Sequence, residues 1–292
     1  MPVISRRDKR GWTPLIMVAP AVIFLLLISI YPLLHSLYLT FHSWSLTSTK
    51  PPQFVLLDNF RDIFLSSRFW GSLKVTVLYT VGVVTTEMTL GMILALSATR
   101  NTRFRQFCRS IILIPMMLTP VVLGLMWKYM YNPENGIINF LLERIGLQGQ
   151  IWLGETHPAL PAVMIVDIWQ WTPFVFLMLS SGIASLPQEA FEAARVDGTS
   201  QFQMFRYITV PLLTPFMLVA LLIRFIDSFK IFDTIFVMTK GGPANATESL
   251  SIYTYKVGLN FFNMGYAAAL SYIMLIIITL ASQQFVKLER KR

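Results

Sequence analysis

Four ionisable side chains lie inside stretches otherwise apolar enough for hydrocarbon: Glu87, Asp167, Arg224 and Asp227. Burying any of them in lipid costs at least ~2.5 kcal/mol on insertion scales, so each needs a partner or a task. Arg224 and Asp227 are three residues apart, which puts them on one helical face where they can neutralise each other. The functional alternative is a polar path through the membrane, where guanidinium and carboxylate groups present directed donors and acceptors to a solute. Glu87 and Asp167 also admit a carrier driven by an ion gradient. Such carriers are commonly built from inverted repeats, and the chain shows no internal repeat.

Enzyme chemistry finds no foothold. There is no Gly-x-x-x-x-Gly-Lys-Ser/Thr phosphate loop, so the chain is not expected to hydrolyse ATP. His35, His42 and His157 are scattered near the ends of apolar segments without ligand spacing and read as interfacial polar residues. The lone Cys108 can form no internal disulfide and has no metal-ligand companion. Catalytic residues, cofactors and metals are all expected to be absent.

The elements that must position these groups are membrane helices. Of the 292 residues, 54% are hydrophobic and only 13% charged, against about a quarter charged in a soluble domain. Six apolar segments, near 14–41, 71–98, 108–131, 159–184, 211–230 and 265–286, are long enough to cross a ~30 Å hydrocarbon core. The expected fold is all-α and integral to the membrane. It has a tail at 1–13, a six-helix domain at 14–286 and a tail at 287–292. The first apolar run is too long for a signal core and is read as an uncleaved span. Pro20, Pro32, Pro115, Pro120, Pro173 and Pro215 fall inside spans, where neighbouring helices can satisfy the freed carbonyls. Gly82 and Gly91 mark a face of close helix packing. The net charge of +9 is unevenly placed. Arg6, Arg7, Lys9 and Arg10 precede the first span; Arg100, Arg103, Arg105 and Arg109 separate the second and third; Arg195 and Arg206 follow the fourth; Lys287, Arg290, Lys291 and Arg292 end the chain. That alternation is the positive-inside pattern, with both termini cytoplasmic.

Between the fourth and fifth spans runs a polar stretch, Ser185 to Pro211. Ser185 with Gln188, and Ser200 with Gln203, have capping-box spacing, and Pro187 suits a first turn. Gly198 offers a residue for the left-handed stop of a helix ending near Val196. A helix-turn-helix is predicted, its second helix ending near Pro211, with small Ala190, Ala193 and Ala194 beside Phe191. A DNA reader is rejected, because the pair is tethered to spans on both sides. No nucleic-acid partner is expected.

Glu192-Ala193-Ala194, three residues, Gly198, nine residues, then Ile208-Thr209-Val210-Pro211 resembles the EAA motif of bacterial ABC-importer permeases; only Val210, usually Leu, departs from it. The GGP-x-x-x-T stretch at 241–247, Gly265-Tyr266-Ala267-Ala268-Ala269-Leu270 and Tyr31-Pro32-Leu33 resemble the first permease subunit of maltose-type carbohydrate importers. The resemblance implies the type I importer permease fold in the bacterial inner membrane. It implies four kinds of partner: a second permease forming a heterodimer, an ATPase subunit dimer, an extracytoplasmic solute-binding protein and a carbohydrate substrate. It makes Glu192, Ala193, Ala194, Asp197, Gly198, Ile208 and Pro211 the ATPase-coupling residues. Helical rise places Gln170 to Phe174 ~15–22 Å into the fourth span and Arg224 to Ser228 ~20–25 Å along the fifth. Similar permeases contact sugar from these two helices, so Gln170, Trp171, Phe174, Arg224, Asp227 and Ser228 are the implied substrate path. Aromatic faces and hydroxyl-bonding groups suit a saccharide. Plain packing competes for each single aromatic, Trp169 included. Arg224 could equally bind a carboxylate or phosphate, which leaves open an acidic sugar, glycerol 3-phosphate or another small solute.

Overall fold

Prolines and glycines punctuate a chain that is otherwise continuous helix. The computed structural model describes residues 13–97 and 110–290. The two basic clusters before residue 13 and between 98 and 109, Cys108, the side chain of Arg290, and Lys291 and Arg292 lie outside the described residues and side chains. In chain order the elements are α1 (Thr13–Leu25), α2 (Tyr31–Thr40), β1 (His42–Ser43), β2 (Gln53–Phe54), α3 (Asp58–Leu65) and α4 (Ser67–Ser97). They continue with α5 (Pro120–Met130), α6 (Ile137–Arg144), α7 (Thr156–Ala184), α8 (Gln188–Val196) and α9 (Gln201–Met204). The last are α10 (Val210–Phe229), α11 (Asp233–Met238), α12 (Leu250–Tyr255) and α13 (Met264–Arg290).

Five helical stretches are long and apolar enough to cross a membrane: Met17–Thr40, Ser67–Ser97, Thr156–Ala184, Gln201–Met238 and Met264–Lys287. The sixth expected span differs. Ser110–Met117 and α5 are bent by 102° at the Leu118-Thr119 link. Pro120 disfavours helical geometry in the residue before it, and Thr119 is extended at φ −69°, ψ 143°. Pro115 opens a single tight turn ahead of it. Neighbouring helices here do not straighten the proline break; they receive it, because the Leu118 carbonyl accepts from Gln170 Nε2 at 3.0 Å.

The chain forms two compact units, one of residues up to Leu65 with Lys256–Ile273, the other Ser66–Tyr255 with Met274 onward. In the first, a two-residue antiparallel pair joins His42 to Phe54 and Ser43 to Gln53, a small exception to the all-helical expectation. Asn59 ties it down, donating to the carbonyls of Thr40 and His42 at 2.8 and 3.1 Å. His42 is a buried structural residue whose Nδ1 lies 2.7 Å from the Tyr38 carbonyl.

In the second unit, α4 lies along α7. A β-carbon on Gly91 would come within 2.6 Å of Val175 Cγ1, and one on Gly82 would strike the Met164 methyl. The small-residue face on α4 is therefore the seam with α7, as its composition suggested. One core cluster gathers Tyr79, Val83, Leu123, Val163, Val166 and Ile235; a second gathers Met92, Val175, Phe176, Leu179 and Leu213. The GGP turn is locked by Thr247, whose hydroxyl donates to the Gly242 carbonyl at 2.7 Å. Next to it the buried Glu248 takes a two-pronged contact from Arg68 at 2.8 and 2.9 Å.

Candidate functional site

The stretch between α7 and α10 folds largely as its local signals require. α8 ends in a Schellman motif: the Gly198 N–H donates to Arg195 O at 3.1 Å and the Thr199 N–H to Ala194 O at 3.0 Å. Gly198 sits at φ 71°, with nothing within 4 Å of where its β-carbon would be. Its glycine is thus required by backbone conformation alone. The Ser200 capping box is complete, with Gln203 N–H donating to Ser200 Oγ at 3.3 Å and Ser200 N–H to Gln203 Oε1 at 2.9 Å.

Two local expectations fail. Ser185 does not cap α8; its hydroxyl donates to Gly182 O at 2.8 Å, and Pro187 occupies the N-cap position. The hydroxyl is captured by the last turn of α7, whose Gly182 carbonyl has no i+4 amide donor and takes the Ser185 N–H and hydroxyl instead. The second helix also does not end at Pro211. A π-turn, Phe205–Thr209, precedes α10 and leaves Pro211 in its first turn, where a missing N–H does no harm.

Of the coupling residues, Glu192, Ala193, Asp197, Gly198 and Pro211 are exposed, and Ile208 is half-buried. Ala194 faces inward, and its carbonyl accepts the Thr199 hydroxyl as well as the Thr199 N–H. Glu192 makes no ion pair among the described residues. Around it the hairpin exposes large apolar side chains that motif spacing gave no reason to select: Val196 at 88%, Phe202 at 73% and Tyr207 at 73%.

The second site lies among α4, α7 and α10. Arg224 does not pair with Asp227. Its Nε donates to Glu87 Oε2 at 2.6 Å and its Nη2 to Glu87 Oε1 at 2.9 Å and Asp167 Oδ2 at 3.1 Å. All three side chains are at most 2% exposed. Two full carboxylates on neighbouring helices outcompete a half-exposed one on the same helix, because the low-dielectric interior strengthens the buried pairs. Asp227 turns to Lys230 instead, at 3.7 Å. The guanidinium carbon also lies 4.9 Å from the Trp171 ring centre, at cation–π distance.

A cavity of about 260 Å³ opens beside this cluster. Gln170, Trp171, Arg224, Asp227 and Ser228 all line it, so five of the six path residues are brought together. Phe174 is one step away, edge-on to Trp171 at 6.4 Å. Ser228 donates back to Arg224 O at 2.7 Å, and Trp169 packs on Trp127. For Trp169, plain packing is what the structure shows. Asp167, Lys230 and Asp233 complete the wall's charged groups. Asp233 had no signal of its own, since it lies past the apolar segment in what read as a loop.

Residues 87–291 match the family described as binding-protein-dependent transport system inner membrane component. The chain belongs to this family. It is 33% identical over 290 residues to the trehalose/maltose transport system permease protein MalF of Thermococcus litoralis, covering 98% of this chain and 96% of that one. It is also 33% identical to the sulfoquinovosyl glycerol transport system permease protein SmoG of Agrobacterium fabrum, over 95% and 90% of the two chains. Its fold matches a chain from the crystal structure of a bacterial ABC transporter involved in the import of alginate, an acidic polysaccharide. That match has a TM-score of 0.85, with 22% identity over 97% of this chain and 96% of that one. As a family member the chain is a membrane permease subunit and not an enzyme; the ATPase is a separate subunit.

Proposed function

We propose that this chain is one of two permease subunits of an ATP-driven, binding-protein-dependent carbohydrate importer, and that α8 and α9 receive the stroke of the ATPase dimer. The observation that carries the reading is the hairpin itself. A Schellman turn and a complete capping box shape a hairpin that exposes Val196, Phe202, Tyr207 and a Glu192 with no ion pair among the described residues. Large apolar side chains left exposed on a short, well-terminated polar hairpin favour a protein-docking role. Coupling falls to Glu192, Ala193, Asp197 and Gly198 at the tip, with Ala194 as the inward support. Ile208 and Pro211 join the hairpin to α10, and the continuous helical run from Gln201 to Phe229 carries its motion to the cavity.

Gln170, Trp171, Phe174, Arg224, Asp227 and Ser228 form this subunit's share of the solute path, with a second permease supplying the other half. The relatives' names and the hydroxyl-bonding wall both favour a saccharide delivered by an extracytoplasmic binding protein. The domain at 14–286 spans the inner membrane, and the tails 1–13 and 287–292 are cytoplasmic.

Topology tests the frame. Reporters fused after Arg105 and Gln201 should register as cytoplasmic, and those after Asn135 and Ala246 as external. An external reporter at Gln201 would place the hairpin beyond the reach of any ATPase and end the proposal. The activity itself is tested by ATP-dependent uptake of labelled saccharides in liposomes holding the complete importer.

A further inference from the structure

An arginine in a solute path invites an anion, but this one is already taken. Arg224 faces two carboxylates, Glu87 and Asp167, and spends its Nε and Nη2 donors on them. One positive charge against two leaves the cluster with no cationic surplus, and even one protonated carboxyl would only bring it to neutrality. Lys230, the other cation on the wall, is matched with Asp227. Asp233, exposed on the same wall, has no cation partner among the described residues.

A buried neutral polar group on the wall points the same way. Gln170 is 1% exposed, and its Nε2 donates to Leu118 O. That bond fixes the amide's orientation and leaves Oε1 as a buried acceptor with no partner among the described residues. A buried acceptor without a donor is costly, and only an incoming O–H or N–H relieves it. Sugar hydroxyls both donate and accept; carboxylate and sulfonate oxygens only accept. The wall therefore sets Gln170 Oε1 and the Asp227 and Asp233 carboxylates as acceptors beside the Arg224 and Lys230 donors, with carboxylates in excess of cations. Such a set complements a polyhydroxyl ring and opposes a second anion.

We propose that the cavity beside Arg224 selects uncharged saccharide units over acidic ones. This rests on the carbohydrate reading above and adds the charge of the cargo. It separates this chain's cavity from the acidic solutes that names among its relatives and fold neighbours mention.

The test is equilibrium binding to the purified permease–ATPase complex in nanodiscs, without the binding protein, so that only the membrane cavity selects. The probes are radiolabelled trehalose and maltotriose against trigalacturonate. The neutral sugars should bind at least about tenfold more tightly than trigalacturonate, the scale of one unpaired or repelled buried group. Joint Asp227→Asn and Asp233→Asn substitution should raise the trigalacturonate-to-maltotriose binding ratio several-fold. Gln170→Leu should weaken maltotriose about tenfold. Trigalacturonate binding as tightly as the neutral sugars, or a ratio unmoved by the two aspartate changes, overturns the charge selection and leaves the carbohydrate reading standing. Binding of none of the three sugars overturns both.

Discussion

Arg224→Met removes one side chain and strands two. The guanidinium holds Glu87 and Asp167 through three contacts of 2.6, 2.9 and 3.1 Å, all essentially without solvent. Breaking a buried ionic group by deleting one partner costs about 3–5 kcal/mol, because the remaining charges stay buried and unpaired. Replacing all members with neutral groups of similar shape is often close to neutral in stability. The triple change Arg224→Met, Glu87→Gln, Asp167→Asn should therefore recover most of the loss. Its loss should be well below the sum of the three single losses, as expected for residues in one network. Asp227→Ala is the built-in contrast. Its partner Lys230 is 3.7 Å away, and both side chains are about half exposed, so the change should cost under ~1 kcal/mol. Thermal unfolding and monodisperse yield of the detergent-purified complex read these differences directly. Arg224→Met with wild-type stability, or Asp227→Ala more damaging than Arg224→Met, would refute the cluster as the anchor of α4, α7 and α10.

Two further expectations follow from packing and capping. Gly91→Val should destabilise the complex by about 1–3 kcal/mol, because its β-carbon would press on Val175 Cγ1 at 2.6 Å; unchanged unfolding would show that the α4–α7 seam does not depend on the small residue. Ser200→Ala removes half of the capping box and should cost the hairpin about 1 kcal/mol. Faster amide exchange confined to the Gln201–Met204 turn is the expected readout, and exchange unchanged there would mean the cap carries no weight.

The features legible in the sequence were those written locally. Gly198 and the Ser200–Gln203 pair act within a few residues of themselves, so spacing alone gave their geometry. Gly82 and Gly91 announced a close approach but not its partner, since smallness says nothing about which helix arrives. Arg224 misled for the same reason. Spacing could offer only Asp227, three residues on, whereas the partners it chose lie 137 and 57 residues away in the chain. Pro120 in an apolar segment implies that neighbours satisfy the freed carbonyls, as Gln170 does at Leu118, but gives no sign of the 102° bend there. The Ser185 hydroxyl could accept from the Gln188 N–H or donate to the Gly182 carbonyl, and only the fold decided between them.

Co-purification of the ATPase subunits with the permease tests the coupling hairpin most directly. Glu192→Ala removes an exposed carboxylate. Gly198→Val forces a β-branched residue to φ 71°, a backbone cost of roughly 1–2 kcal/mol with no steric clash to confuse it. Both variants should insert and assemble with the second permease yet lose ATPase retention or ATP-driven saccharide uptake. Wild-type ATPase retention together with wild-type uptake in both would show that this hairpin is not where the ATPase acts.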